Sequence, residues 1–306
     1  MSKLYDGPVI DPHHHLWDLS LGRHPWLAPQ PGKEHSLGDL TGLRRNYLIE
    51  DYLLDSAGQN VVATVHVEAA WSEEDCLGET RWLEALDKRR GVASRYVAHV
   101  PLDSPEAPAL IATQASFARV VGIRDILSWH RNPALTFAER SDLMDDSAWR
   151  RGLARLAEHD LVFDLMIFAG QLGDALRLAQ AFPNQLFVLN HCGSPIDRDA
   201  DSMAAWRAGV KALGSAENVA IKISGLTGYD PHWTLESLRP LILHCIESFS
   251  PRRSMLASDF PVTGLHAGFA ESYEVYRAVA AELSAGEQRA LFFETAKRVY
   301  KIPVEN

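Results

Sequence analysis

Three cysteines in 306 residues, at Cys76, Cys192 and Cys245, are too few and too scattered for a disulfide framework, a zinc ribbon or a paired redox dithiol. A reducing compartment fits that usage. The chain also lacks any Lys- or Arg-rich run, and its formal net charge is −10. A nucleic-acid partner requires a basic face to displace counterions, so neither DNA nor RNA is expected to bind. The opening MSKLYDGPVIDPHHH contains no apolar stretch long enough for a signal peptide, and no segment elsewhere approaches a membrane span. The protein is therefore expected to be cytoplasmic, with no membrane partner. No linker or shift in composition divides the chain either, so residues 1–306 are expected to form a single domain.

What is present is an ordinary globular composition, 46% hydrophobic and 23% charged, sufficient to bury a large core. Apolar, β-branched runs bounded by turn residues recur, each followed by a stretch with helical spacing. The strand candidates are PVIDPHHH near 8–15, VVATVHVEA near 61–69, SRYVAHVPL near 94–102 and ARVVGIRDIL near 118–127. LVFDLMIF near 161–168, QLFVLNHCG near 185–193, NVAIKISGL near 218–226 and RSMLASDFP near 253–261 complete the series. Roughly eight strand–helix units predict an α/β fold, a (β/α)8 TIM barrel. EQRALFFETAKRVY has a helical pattern and no strand after it, which predicts an extra C-terminal helix packed on the outside. The long connections around 16–40 and 128–146 follow strands, which in a barrel places them on the catalytic face.

Side chains two apart on a strand share a face, so His13 and His15 both project into the barrel at the end of the first strand. Two imidazoles so placed can hold one metal ion; an exposed polar turn accounts for the HHH run equally well on that motif alone. Other strand ends add polar groups to the same region: His191 after LFVLN, Asp259 after MLAS, and Glu68 after VVATVHV with His66 on its face. Ionisable groups there are costly to bury unless paired, ligated or catalytic. Arg124 and Lys222 interrupt apolar runs in the same way. Either they bind substrate, Arg124 gripping a carboxylate with its guanidinium fork, or they form internal ion pairs with Glu68 or Asp164. His66 and His99 have a second reading as core histidines. Trp17, Trp26, Trp71, Trp129 and His130 lie on catalytic-face loops, where an aromatic ring can stack on a substrate or simply cover the core. Cys192, with no base and orienting group beside it, reads as a packed thiol.

In order along the chain, DPHHHLWD, GIRDIL, NHCGSP, NVAIKISGL and ASDFPV resemble the amidohydrolase-2 (amidohydrolase-related) family over nearly the whole sequence. The nearest branch of that family contains 2-pyrone-4,6-dicarboxylate lactonase and sugar-acid lactonases such as L-fuconolactonase and L-rhamnonolactonase. The resemblance implies a hydrolase that opens a lactone ring, with Asp259 activating water and His191 steadying the oxyanion. It also implies substrate contacts from Arg124 and Lys222, for which His66 and Trp129 are further candidates. His13, His15, Glu68 and Asp259 are the candidate ligands of one divalent ion, zinc first among them, and catalysis without a metal is the other expectation. The fifth strand has no histidine and the fourth no lysine to bridge two metals, so a binuclear centre is not expected. Asn190 stands where that branch often has Asp. The expected partner is a small-molecule lactone or carboxylated substrate, and the expected state a monomer or homodimer. The rival readings are a metal-dependent non-oxidative decarboxylase of the same family and a barrel that binds a ligand without turning it over.

Overall fold

A computed structural model describes residues 4–29, 35–230 and 232–304. Eight parallel strands lie in sequence order in one sheet: β1 (Val9–His14), β2 (Val61–Val67), β3 (Arg95–His99), β4 (Val120–Ile126), β5 (Val162–Met166), β6 (Phe187–Leu189), β7 (Val219–Ile223) and β8 (Ser254–Leu256). The helices that follow them in turn are α1 (Ile49–Asp55), α2 (Gly78–Ala85), α3 (Ala107–Ala115), α4 (Ser147–Arg155), α5 (Leu172–Ala181), α6 (Ala200–Gly214), α7 (Leu235–Phe249) and α8 (Phe269–Ala280). The sheet closes on itself past the end of β8, where His14 bridges Phe260 in parallel and the His15 N–H donates to the Phe260 carbonyl at 2.8 Å. This is the expected (β/α)8 barrel.

Period-two alternation explains the two apolar layers. Ala63, Val65, Val97, Val162, Val188, Ala220 and Met255 fill the barrel interior, whereas Tyr96, Phe163, Leu165, Phe187, Leu189, Ile221 and Ile223 pack outward against the helices. Local sequence starts several helices: the Asp146 carboxylate accepts from the Ala148 and Trp149 N–H groups ahead of α4, and Asp199 and Thr234 cap α6 and α7 in the same way.

Two expectations change. The strands β6 and β8 stop earlier than their apolar runs suggest, because His191 (φ 51°), Cys192 (φ 56°) and Asp259 (φ 57°) adopt left-handed backbone that ends an extended segment. The C-terminal segment does not lie outside the helical ring. Its parts, α9 (Ala285–Arg289), a π-turn over Ala290–Glu294 and α10 (Thr295–Val299), cover the end of the barrel where the strands begin. Arg95 Nε donates to the Lys301 carbonyl, Thr295 Oγ1 to the Pro251 carbonyl and Lys301 Nζ to the Asp160 carbonyl, all at the starts of β3, β8 and β5. Leu291 and Phe292 join the outer apolar layer while Phe293, Ala296, Val299 and Tyr300 join the interior one. A segment apolar on two sides cannot keep one of them in water, so it plugs the barrel.

Candidate active site

The site is assembled at the opposite end by stitching the turn after β8 to β1. Asp11, fully buried in β1, accepts from Ser258 N (2.9 Å), Ser258 Oγ (2.5 Å) and Tyr52 OH (2.7 Å). The Asp259 N–H donates to the His13 carbonyl at 2.8 Å. These bonds hold Asp259 over the two inward-facing histidines. His14, between them, points outward and meets Thr64 Oγ1 at 2.7 Å.

Asp259 Oδ1 lies 3.5 Å from His13 Nε2 and 3.4 Å from His15 Nε2, and its Oδ2 lies 3.8 Å from His191 Nδ1. His15 Nδ1 is 2.8 Å from the Val67 carbonyl, which only accepts, so that nitrogen carries a proton and the ring is fixed with Nε2 toward Asp259. His191 is oriented by Ser224 Oγ, 3.0 Å from Nδ1. Burial holds His13 well below the ordinary histidine range, with Lys222 adding to the effect, and burial likewise lowers His191 to about 4. Both rings are therefore neutral at pH 7. Burial alone would raise the Asp259 carboxyl, but the neighbouring His191, His15 and Arg124 outweigh it and keep the group below its usual range, hence ionised.

One donor atom each from His13, His191 and Asp259 lie within 4.8 Å of one another. Two neutral imidazoles and a carboxylate are a donor set that suits zinc. His13 Nε2 is buried, faces that carboxylate and has no hydrogen-bond partner among the described residues, an orphaned position that a cation or a substrate oxygen would satisfy. The residues present thus fit a single divalent ion.

The His191 ring also depends on Gly225, which has φ +67°; a Cβ built there would sit 3.1 Å from His191 Nδ1. Gly225→Ala is expected to lose about 1–2 kcal/mol from the left-handed backbone alone, read as a lower midpoint in a urea melt. A variant as stable as the parent would show that the turn relaxes freely.

Beneath the site lies a buried polar chain. Asp164 accepts from Lys222 Nζ (2.5 Å), Asn190 Nδ2 (2.9 Å) and Tyr300 OH (2.7 Å), the last reaching in from the C-terminal plug. Lys222 Nζ is in turn 3.5 Å from His13 Nδ1 and 4.8 Å from the centre of the Tyr300 ring. Arg124 Nε donates to Glu68 Oε1 at 2.5 Å and its NH2 to the Glu68 carbonyl at 2.6 Å. Burial opposes the Glu68 charge, yet Arg124 overrides it and brings this carboxyl down to about 2.

Of the four residues expected to hold a metal, His13 and Asp259 are brought together with His191, and His15 touches Asp259 beside them. Glu68 is turned instead to Arg124. It stands past the end of β2, where strand alternation no longer aims it, and the guanidinium captures it. Lys222 is fully buried and paired with Asp164, the internal ion pair that sequence left open. His66 does not share a face with Glu68: with Val65 and Val67 inward it points outward, 3.1 Å from Glu79 Oε1. Trp129 lines a separate cavity with His130, Phe168 and Trp206. Cys192 is a buried thiol beside the Lys222 carbonyl. Ser224 escaped sequence reasoning, since it stands one residue past the end of β7 as Glu68 does past β2; Tyr300, far along the chain from Asp164 and Lys222, carried no signal either.

Above the His13–Asp259 cluster opens a cavity of about 110 Å³ whose polar lining includes His15, Arg124, His191, Tyr229 and Asp259. Known proteins resemble this chain over nearly its whole length. An uncharacterized protein of Sinorhizobium fredii is 34% identical over 97% of this chain and 99% of its own length. An L-fucono-1,5-lactonase of Burkholderia multivorans is 29% identical over 96% of each chain. A crystal structure of a Burkholderia multivorans amidohydrolase with bound zinc superposes with a TM-score of 0.81 at 27% identity, covering 97% of this chain and 100% of that one. The amidohydrolase profile matches residues 10–302, from the strand that bears the paired histidines to the plug that closes the barrel, and the chain belongs to that family.

Proposed function

We propose that this protein hydrolyses a lactone, with Asp259 as the base that takes a proton from water. One observation carries the reading: the Asp259 carboxylate stands among three imidazoles at the floor of a cavity lined mostly by apolar side chains. The likeness to L-fucono-1,5-lactonases over most of the chain supports it.

Asp259 accepts a proton as the water oxygen attacks the ring carbonyl carbon, and the N–H of the neutral His191 imidazole steadies the oxyanion. The acyl C–O bond then breaks, and the departing ring alkoxide recovers the proton from Asp259 to leave a hydroxy acid. His15, fixed by the Val67 carbonyl, holds the Asp259 carboxylate in place. His13, His191 and Asp259 would hold a divalent ion such as zinc, which when bound polarises the carbonyl and makes water more acidic.

The test is ring opening followed by pH-stat over sugar-acid and aromatic-pathway lactones, with metal-stripped and zinc-reloaded protein. At least one lactone is expected to open, and stripping is expected to slow it by about tenfold or more. Carbon dioxide release from a carboxylic acid, with no lactone opened by either form, would overturn the proposal.

A further inference from the structure

We infer that the cavity accepts an uncharged lactone carrying apolar substituents, because Glu68 holds Arg124 as a neutral wall and the remaining lining is largely hydrocarbon. The inference rests on the lactonase reading and specifies its substrate class. Arg124 is the one Lys or Arg among the described residues lining this space. Its Nε and NH2 are directed at Glu68, and its NH1 lies 3.5 Å from Asn190 Oδ1. A bidentate grip on a substrate carboxylate needs two adjacent N–H groups, and the Nε–Nη2 edge of the guanidinium is already taken by Glu68. Lys222 does not reach the cavity; it is fully buried against Asp164. Glu68 Oε1 lies 2.5 Å from Arg124 Nε, so the guanidinium beside the cavity already has its counter-charge.

The rest of the wall argues against a polyhydroxylated ring. Trp26, Leu37, Ile126, Phe137, Met166 and Val262 surround the space. Each sugar hydroxyl placed against them would lose water without gaining a partner, a cost of order 1–3 kcal/mol per group. Trp26 and Phe137 both line the space, so an alkyl arm on the ring would lie against aromatic hydrocarbon.

Glu68 is thereby a specificity-determining residue. Turnover is compared for an alkyl-substituted δ-lactone, L-fucono-1,5-lactone and 2-pyrone-4,6-dicarboxylate. In parallel, calorimetry measures binding of an alkyl cyclohexanone, which mimics the ring and carbonyl without an ester bond, and of the same ring bearing a carboxylate. The alkyl lactone is expected to exceed the sugar lactone in kcat/KM by about tenfold or more, with the dicarboxylate poorest, and the neutral ketone is expected to bind more tightly than its carboxylate. Glu68→Gln is expected to narrow or reverse the neutral-over-anionic preference by removing the counter-charge of Arg124. Tighter binding of the carboxylate by the unmodified protein overturns the inference, as does preferred turnover of the sugar lactone or the dicarboxylate. Failure to open any lactone while the ketone still outbinds the carboxylate sinks the lactonase reading and leaves the charge selectivity standing. The binding comparison on the parent protein holds even where Glu68→Gln fails to fold.

Discussion

Asp259→Asn should reduce turnover of the best lactone by about 10²–10⁴-fold while leaving ligand binding within a few-fold of the parent. The amide is nearly isosteric, so it can still fill the space over His13 and His15, and the backbone bond from Asp259 N to the His13 carbonyl is untouched. What disappears is the group that can receive a proton from water, together with a negative charge beside His13 and His191. Steady-state kinetics on the variant, with calorimetry on a non-reactive cyclic ketone, separate the two effects. A barrel that merely binds its ligand would show no kinetic difference between the two proteins, and a variant that retains full turnover would remove Asp259 from the mechanism.

The largest effect on stability is expected at Asp164→Ala. This substitution strands the Lys222 ammonium in a fully buried position and leaves Tyr300 OH and Asn190 Nδ2 without their acceptor. Removing one partner of a buried pair costs about 3–5 kcal/mol, to be read as a lowered midpoint in urea or heat. Replacing both charges, as Asp164→Leu with Lys222→Met, should recover much of that loss, since desolvating two charges offsets their attraction in the parent. A double variant no more stable than Asp164→Ala would mean that the chain from Tyr300 to His13 depends on hydrogen-bond geometry that hydrocarbon cannot replace. Because Lys222 Nζ stands 3.5 Å from His13 Nδ1, the single variant is also expected to lower zinc affinity, measurable by competition with a chromogenic chelator.

Pattern and position carried much of the site. The His13-x-His15 spacing announces a shared face, and both rings do meet Asp259. Asp259 and His191 were legible as polar residues closing apolar runs, although each sits on a left-handed turn beyond its strand. That turn is what swings the side chain over the barrel mouth; His and Asp adopt φ > 0 more readily than most residues, but nothing local fixes it at these two positions. Glu68 and His66 show where the pattern misleads. Strand parity puts them on one face, but β2 ends at Val67, so parity governs His66 and not Glu68. The C-terminal helix was visible as a helix and misplaced as an outer layer, because amphipathic spacing shows that a face must be buried and not against what.

The sequence by itself determined the eight alternating units, the inward direction of the first-strand histidines and the position of Asp259 after the last strand, since each depends on spacing within a short segment. Only the tertiary structure decided the pairings. Arg124 meets Glu68 from 56 residues away, Lys222 meets Asp164 from 58, and Tyr300 reaches Asp164 across 136. A buried charge must find a partner wherever the fold supplies one, and closing the barrel brings together strands that are distant in the chain. That closure left the two expected substrate cations committed to internal partners around a largely apolar cavity.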